Sequence, residues 1–215
     1  RICTNQQTAD CAAVLASKQS SYHPVRDYLN GLSKPLSKNE WEKLAIQIFG
    51  VEDPLATTFL QKQLIACVAR ALSPGCKADT CLVIYSSEQG IGKSRLWEIL
   101  GGDWFSDSLG DLRNVKDDKL QAHSAWIHEW SEIDCVMGKR ESEVLKSFLS
   151  ASKDDIRKPY GRGVETMQRA FVIVGTTNRA DFVKDQTGNR RFPVIAVCKV
   201  NNEWVKENRD AIWCR

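Results

Sequence analysis

The sequence predicts a three-layer α/β domain with a largely parallel central sheet, preceded by a small helical subdomain. Three observations carry that prediction. Apolar runs at 81–85, 124–130, 170–177 and 191–197 have the length and composition of buried strands. Segments of helical period lie between them, the alternation that produces parallel sheets. The first run leads through a turn punctuated by Gly90 and Gly92 directly into Lys93-Ser94 and a helix, a strand–turn–helix unit that presents backbone N–H groups to an anion.

Along the chain, residues 1–22 are polar with scattered alanines and read as a ragged lead-in. After His23-Pro24 a helix is expected from Val25, Tyr28, Leu29 and Leu32, broken by Gly31 and Pro35. A second starts at Asn39-Glu40, runs over Trp41–Phe49 and is closed by Gly50. A third follows Pro54, with Phe59, Leu60, Leu64, Ile65, Val68 and Leu72 on one face, and stops at Ser73-Pro74-Gly75. This helical block is expected to pack on the domain that follows, giving a subdomain over 1–75 and a phosphate-loop domain over 76–215. After the loop helix, Gly101-Gly102 is a stop. Asp103–Asp118 is acidic and turn-rich, with a short strand expected near Trp104-Phe105. The strand Ser124–Trp130 follows, then a helix over Arg140–Ser150 that buries Val144, Leu145, Phe148 and Leu149. Asp154–Arg169 reads as a hairpin turning at Tyr160-Gly161-Arg162-Gly163. The strands Ala170–Thr177 and Arg191–Val197 complete the sheet.

Bulk properties fit a core-bearing protein: 215 residues, 42% hydrophobic and 27% charged. No apolar run approaches a membrane span, so no membrane role is expected. Arg1–Thr4 has neither an initiator methionine nor a signal-like core, and Glu207–Arg215 ends without a stop signal, so the chain reads as a fragment that continues beyond its carboxyl end. None of the eight cysteines forms a C-x-x-C pair; they read as reduced thiols in a cytoplasmic compartment, not as zinc ligands or disulfides. The net charge of +3 is too small to name a partner. Its placement says more, since residues 153–191 carry +4 and the remainder −1.

The chemistry concentrates at strand ends. Glu88, Gln89, Gly90, Ile91, Gly92, Lys93, Ser94 and Arg95 form a Walker A loop in which glycines let the backbone approach phosphate, Lys93 neutralises it, and the Ser94 hydroxyl reaches Mg²⁺. Ser87 stands where the strict pattern has its first glycine. Glu129 ends one core strand and Glu132 follows three residues on; one carboxylate near Mg²⁺ and one orienting the attacking water would supply Walker B chemistry. Asn178, ending the next strand, is placed to hold that water. His123, His128 and the tryptophans read as structural, and Asp117-Asp118 and Asp154-Asp155 as solvated turn acids.

The segments GIGKS, WIHEWSEID, LKSFLS, DDIRKPYGR, VIVGTTN and GNRRF resemble the virulence-associated E family, a phage- and mobile-element-borne branch close to superfamily 3 helicases. The resemblance covers His23 to Val197. It implies an AAA+-like P-loop fold, ATP as the nucleotide, a homo-oligomeric ring, and work on single-stranded or forked DNA during replication, often beside a primase domain. It assigns Lys93 and Ser94 to Walker A, Glu129 and Glu132 to the acidic pair, Asn178 to sensor 1, and Arg190 and Arg191 to arginine fingers acting between subunits. The family's acidic motif aligns on Ser131-Glu132, which leaves the division of labour between Glu129 and Glu132 open. By analogy with superfamily 3 helicases, the hairpin residues Lys158, Tyr160 and Arg162 would contact DNA through phosphate neutralisation and stacking. Two rival readings remain at this level: a nucleotide-gated module that grips DNA or protein without unwinding, and a P-loop kinase. The paired arginines beyond sensor 1 favour a ring over a kinase.

Overall fold

A computed structural model describes residues 8, 9, 12, 23–110, 112, 114–133, 136, 142–157, 163–180 and 190–215. Helix α1 (Pro24–Asn30) starts at proline behind His23, whose ring accepts from the Arg26 amide. Where one helix is expected over Trp41–Phe49, there are two: α2 (Lys38–Glu42) and α3 (Leu44–Phe49). Ser37 and Glu40 form a reciprocal capping box that starts α2 earlier than the apolar pattern suggests. Lys43 then leaves the helical region, and α3 buries Leu44, Ala45, Ile48 and Phe49 before stopping at left-handed Gly50. Helix α4 (Pro54–Leu72) is capped by the Asp53 carboxylate on the Leu55 amide.

Five strands form one sheet: β1 (Leu82–Tyr85), β2 (Phe105–Ser106), β3 (Ile127–Trp130), β6 (Val172–Thr177) and β7 (Val194–Ala196), in the order β2-β3-β6-β1-β7. Every pairing is parallel, so all five carboxyl ends lie along one edge. The expected parallel α/β architecture is the observed one. Alternation along the strands sends Leu82, Ile84, Ile127, Val172 and Val174 to one face. There they share a continuous core with α1, α3, α4, α5 (Lys93–Gly101) and α8 (Asn202–Cys214). Cys81, Val83, Trp130 and Ile173 point to the opposite face, packed with Leu145, Phe148 and Leu149 of α7 (Ser142–Ser150) and Ala122 of α6 (Val115–Ala122). Trp97, Trp126 and Trp130 are core residues, as expected. Two helices lie where none is expected. One is α6, which begins at the end of the acidic stretch and runs past it; the other is α8, over Asn202–Cys214.

The hairpin is present as β4 (Lys153–Ile156) paired antiparallel with β5 (Glu165–Gln168). The solvated-turn reading of Asp154 is corrected: the residue is 0% exposed. Arg169 grips it through Nε (2.6 Å) and Nη2 (2.8 Å), His123 Nε2 lies 3.2 Å from it, and Lys119 stands 3.5 Å away. Burial would raise its pKa, but the bonds from His123 and Arg169 and the charges of Arg169 and Lys119 outweigh it, holding the carboxyl well below the usual range. Asp118, also expected in solvent, is buried by α6. Arg169 stacks over the Phe148 and Phe171 rings and donates to the Phe148 carbonyl, so the hairpin root is fastened to the second core.

Candidate active site

The carboxyl edge of a parallel sheet gathers the loops that follow each strand, and here β3, β6 and β1 are adjacent. Leaving β1, the chain runs through Ser86 to Gly92 and enters α5 with Gly90 at φ 77° and Gly92 at φ 91°, a conformation open to glycine. A Cβ at Gly92 would also stand 2.2 Å from Asn202 Nδ2, so that side chain would have to give up its place over the loop. Ser87, the departure from the Walker pattern, is absent from the described non-glycine residues at positive φ, which are Leu112 and Glu132. The turn thus does not demand glycine at 87.

A cavity of about 400 Å³ sits over this loop, lined by Gln89–Arg95 and by Ser131, Glu132, Thr176 and Asn178. Lys93 is 8% exposed and its ammonium donates to the Glu88 carbonyl at 3.3 Å. Desolvation lowers its pKa, while the charge of Glu129 works in the other direction. Arg95 pairs with Glu98 at 2.7 Å on the rim.

Glu129 is 0% exposed at the end of β3. Its Oε1 accepts from the Ser94 hydroxyl (2.7 Å) and from Thr176 Oγ1 (2.6 Å), tying the first turn of α5 to β3 and β6. Its Oε2 is buried with no hydrogen-bond partner. Burial, with the nearby charge of Asp107, pushes the carboxyl above the usual range, against the pull of the Thr176, Ser94 and Ser131 hydroxyls. A buried anion with an orphaned oxygen beside a serine hydroxyl fits a divalent cation. Among the described residues no group of three or more His, Cys, Asp or Glu gathers to cage a metal, so a cation here would take part of its shell from a ligand's own oxygens, as Mg²⁺ does with nucleotide phosphates.

Glu132 lines the cavity on a backbone at φ 54°, a strained conformation for a non-glycine residue. Packing holds it there. Ile133 drops onto Gly175 of β6, where a Cβ would lie 2.8 Å from Ile133 Cδ1, so the absent side chain lets the segment after β3 settle on the sheet. Asn178 Nδ2 donates to the carbonyls of Ser86 (2.8 Å) and Glu88 (2.9 Å).

The structure thus brings Gln89–Arg95, Glu129, Glu132 and Asn178 together, with Glu88 contributing its carbonyl. It leaves Arg190 and Arg191 apart. They precede β7, at the amino end of the sheet, and the Arg191 carbonyl accepts from Cys81 at the start of β1. Arg191 Nε reaches Ser150 Oγ at 3.1 Å and Asp79 at 4.0 Å, whereas Arg190 is exposed. Lys158, Tyr160 and Arg162 lie outside the described residues. Sequence reasoning missed Thr176 and Asn202, whose Nδ2 donates to the Gly92 carbonyl at 3.1 Å, and gave Ser131, which lines the cavity, no role of its own. Thr176 had a signal, a hydroxyl within the motif GTTN; Asn202 had none, being far along the chain.

Comparison with known proteins extends the geometry. The model of the virulence-associated protein E-like domain matches residues 29–215. No curated protein matches the chain. Two apo structures of the NrS-1 C-terminal region are similar to it, with TM-scores of 0.57 and 0.58 at 16% and 14% identity, covering 86% of this chain and 46% and 47% of theirs. The chain therefore spans a little under half of that region. A JCV helicase with a bound small molecule is similar at a TM-score of 0.45 and 12% identity, covering 96% of this chain and 64% of that one.

Proposed function

The chain belongs to the virulence-associated protein E-like family, and from that premise we propose that it is an ATP- and Mg²⁺-dependent motor ATPase acting on DNA, a replicative helicase of a phage or mobile element. The observation that carries the nucleotide reading is Glu129, whose one oxygen is shared by Ser94 and Thr176 while the other is buried without a partner. A phosphate loop alone binds; an acid coupled to its serine is what hydrolysis adds.

In this reading Gly90–Ser94 cradle the phosphates and Lys93 leaves the Glu88 carbonyl for them. Ser94 and Glu129 would hold Mg²⁺, which when bound neutralises phosphate charge. Glu132, at the cavity wall, takes the part of general base toward the attacking water. The tip of the β4–β5 hairpin, with Lys158, Tyr160 and Arg162, grips the DNA backbone. Arg190 serves a neighbouring subunit of a ring, and a primase domain or protein supplies the partner activity.

ATP hydrolysis measured with and without single-stranded DNA, in the parent chain and in Lys93→Ala, tests the proposal. DNA-stimulated turnover that falls by about 10²-fold or more in a folded Lys93→Ala protein is the expected result. Turnover retained in Lys93→Ala would remove the nucleotide assignment. Turnover indifferent to DNA would remove the motor.

A further inference from the structure

Resting on the nucleotide reading above, we infer that Asn178 is a positioning residue of the phosphate loop, a clamp on two loop carbonyls that stays in place when Lys93 changes partners. The register fixes its place. Tyr85 pairs with Thr177, and the Ser86 amide donates to the Thr177 carbonyl at 3.2 Å, so the residue after β6 lies beside the loop that leaves β1.

From there Nδ2 donates to Ser86 O at 2.8 Å and to Glu88 O at 2.9 Å. A primary amide carries two N–H groups, and both are engaged. The orientation follows from the partners: two carbonyl oxygens accept only, so NH₂ and not Oδ1 must face them. With both N–H groups so engaged, what Asn178 offers the cavity is an acceptor, able to receive a hydrogen from water. Its position at a strand end beside the cavity suits a sensor; its hydrogen bonds suit a strut.

The second carbonyl gives the clamp its use. Glu88 O accepts from Asn178 and also from Lys93 Nζ at 3.3 Å, filling both lone pairs. Lys93 must abandon this carbonyl to reach a phosphate. With Asn178 still bonded, the carbonyl stays satisfied and the loop keeps its shape when the lysine departs. Ser86 Oγ braces the same turn by accepting from the Glu88 amide at 3.2 Å. Asn178 thereby lets one lysine change partners without loosening the glycine turn.

A clamp and a γ-phosphate sensor differ in what they do to ADP. Titration of Asn178→Ala with Mg-ADP and Mg-ATP should show both affinities reduced about tenfold, with KM for ATP rising more than kcat falls. Asn178→Asp, which sets a carboxylate against two carbonyls, should lose more of each. Unchanged ADP affinity with a lower kcat would overturn the clamp. A second measurement needs no ligand: hydrogen exchange of the 88–92 amides should quicken in nucleotide-free Asn178→Ala while β3 and β6 stay protected. Unaltered exchange there overturns the inference even if nucleotide binds. Should the parent chain bind neither nucleotide, the nucleotide reading fails and the exchange result alone decides the clamp. Thermal unfolding controls for global loss, and if Asn178→Asp does not fold, the uncharged Asn178→Ala carries the comparison.

Discussion

Glu129 and Glu132 stand three residues apart and occupy opposite environments, one sealed under Ser94 and Thr176, the other on the cavity wall. Under the proposed function they separate cleanly. Glu132→Gln should keep Mg-ATP bound and slow turnover by about 10²-fold or more, because an amide keeps the shape and loses the base. Glu129→Gln should keep the fold, since Gln retains an acceptor for both hydroxyls, but lose the Mg²⁺ dependence of nucleotide binding. Binding and single-turnover assays check both; matching wild-type rates would make the acids bystanders. His128 gives a prediction about stability. Burial pushes its pKa down to about 4, with nearby His123 adding to the effect and the bond to the Ala122 carbonyl opposing it. The unfolded imidazole titrates near pH 6.5, so between about 6.5 and 4 the unfolded chain binds a proton that the folded chain refuses. Stability from this group is therefore complete above about pH 6.5 and declines as pH falls toward 4, by about 3 kcal/mol in all. Urea midpoints from pH 7 to 4.5 should fall in the parent chain and flatten in His128→Gln; parallel slopes would show that another group is responsible.

Among the elements, the β4–β5 hairpin has a fixed root, and the sequence between its strands carries the basic residues Lys158 and Arg162. Its root is held by the Arg169–Asp154 pair, by the Arg169 amide on the Ser152 carbonyl, and by Arg70 and Gly75 donating to the Arg169 carbonyl. A root so fastened moves with the sheet. If the turn contacts DNA as proposed, changing Lys158 and Arg162 to Ala should weaken single-strand binding and reduce the slope of log affinity against log salt by about 1.4, or about 0.7 for each phosphate no longer neutralised. Basal ATP hydrolysis should persist. An unchanged salt slope would place DNA elsewhere. Two elements escape a reading of the sequence for different reasons. Helix α8 has a legible pattern, with Val205, Ile212 and Trp213 at i, i+7 and i+8, but it lies in a mixed apolar and charged stretch that obscures it. Helix α6 has hardly any pattern, because it buries Asp118 and Ala122 within a polar run.

At the scale of the whole molecule, the two arginines before β7 lie at the end of the sheet opposite the phosphate loop. A residue there is out of reach of its own chain's phosphate site, across a strand of roughly 13 Å. Under the proposed function, a contact with nucleotide would be made on a second copy, and the local bonds of Arg191 make exposed Arg190 the better candidate. Arg190→Ala and Lys93→Ala proteins should each be inactive alone. Mixed in equal amounts, they should recover about a quarter of the parent rate, because each working interface needs an intact loop and an intact neighbour. Full activity of Arg190→Ala as a strict monomer would remove both the finger and the ring.

The sequence by itself determined the sheet strands, the phosphate loop and the resemblance to a family whose model matches 29–215, because period, glycine placement and strand-end residues act over short spans of chain. Tertiary structure decided which atoms meet. That Glu129 and not Glu132 bonds Ser94, that Asp154 is sealed in an ionic cluster, and that Asn178 faces carbonyls all depend on strand order, since β6 lies between β3 and β1. No local pattern encodes that order. It follows from burying both faces of one sheet at once, a condition that only the complete chain can satisfy.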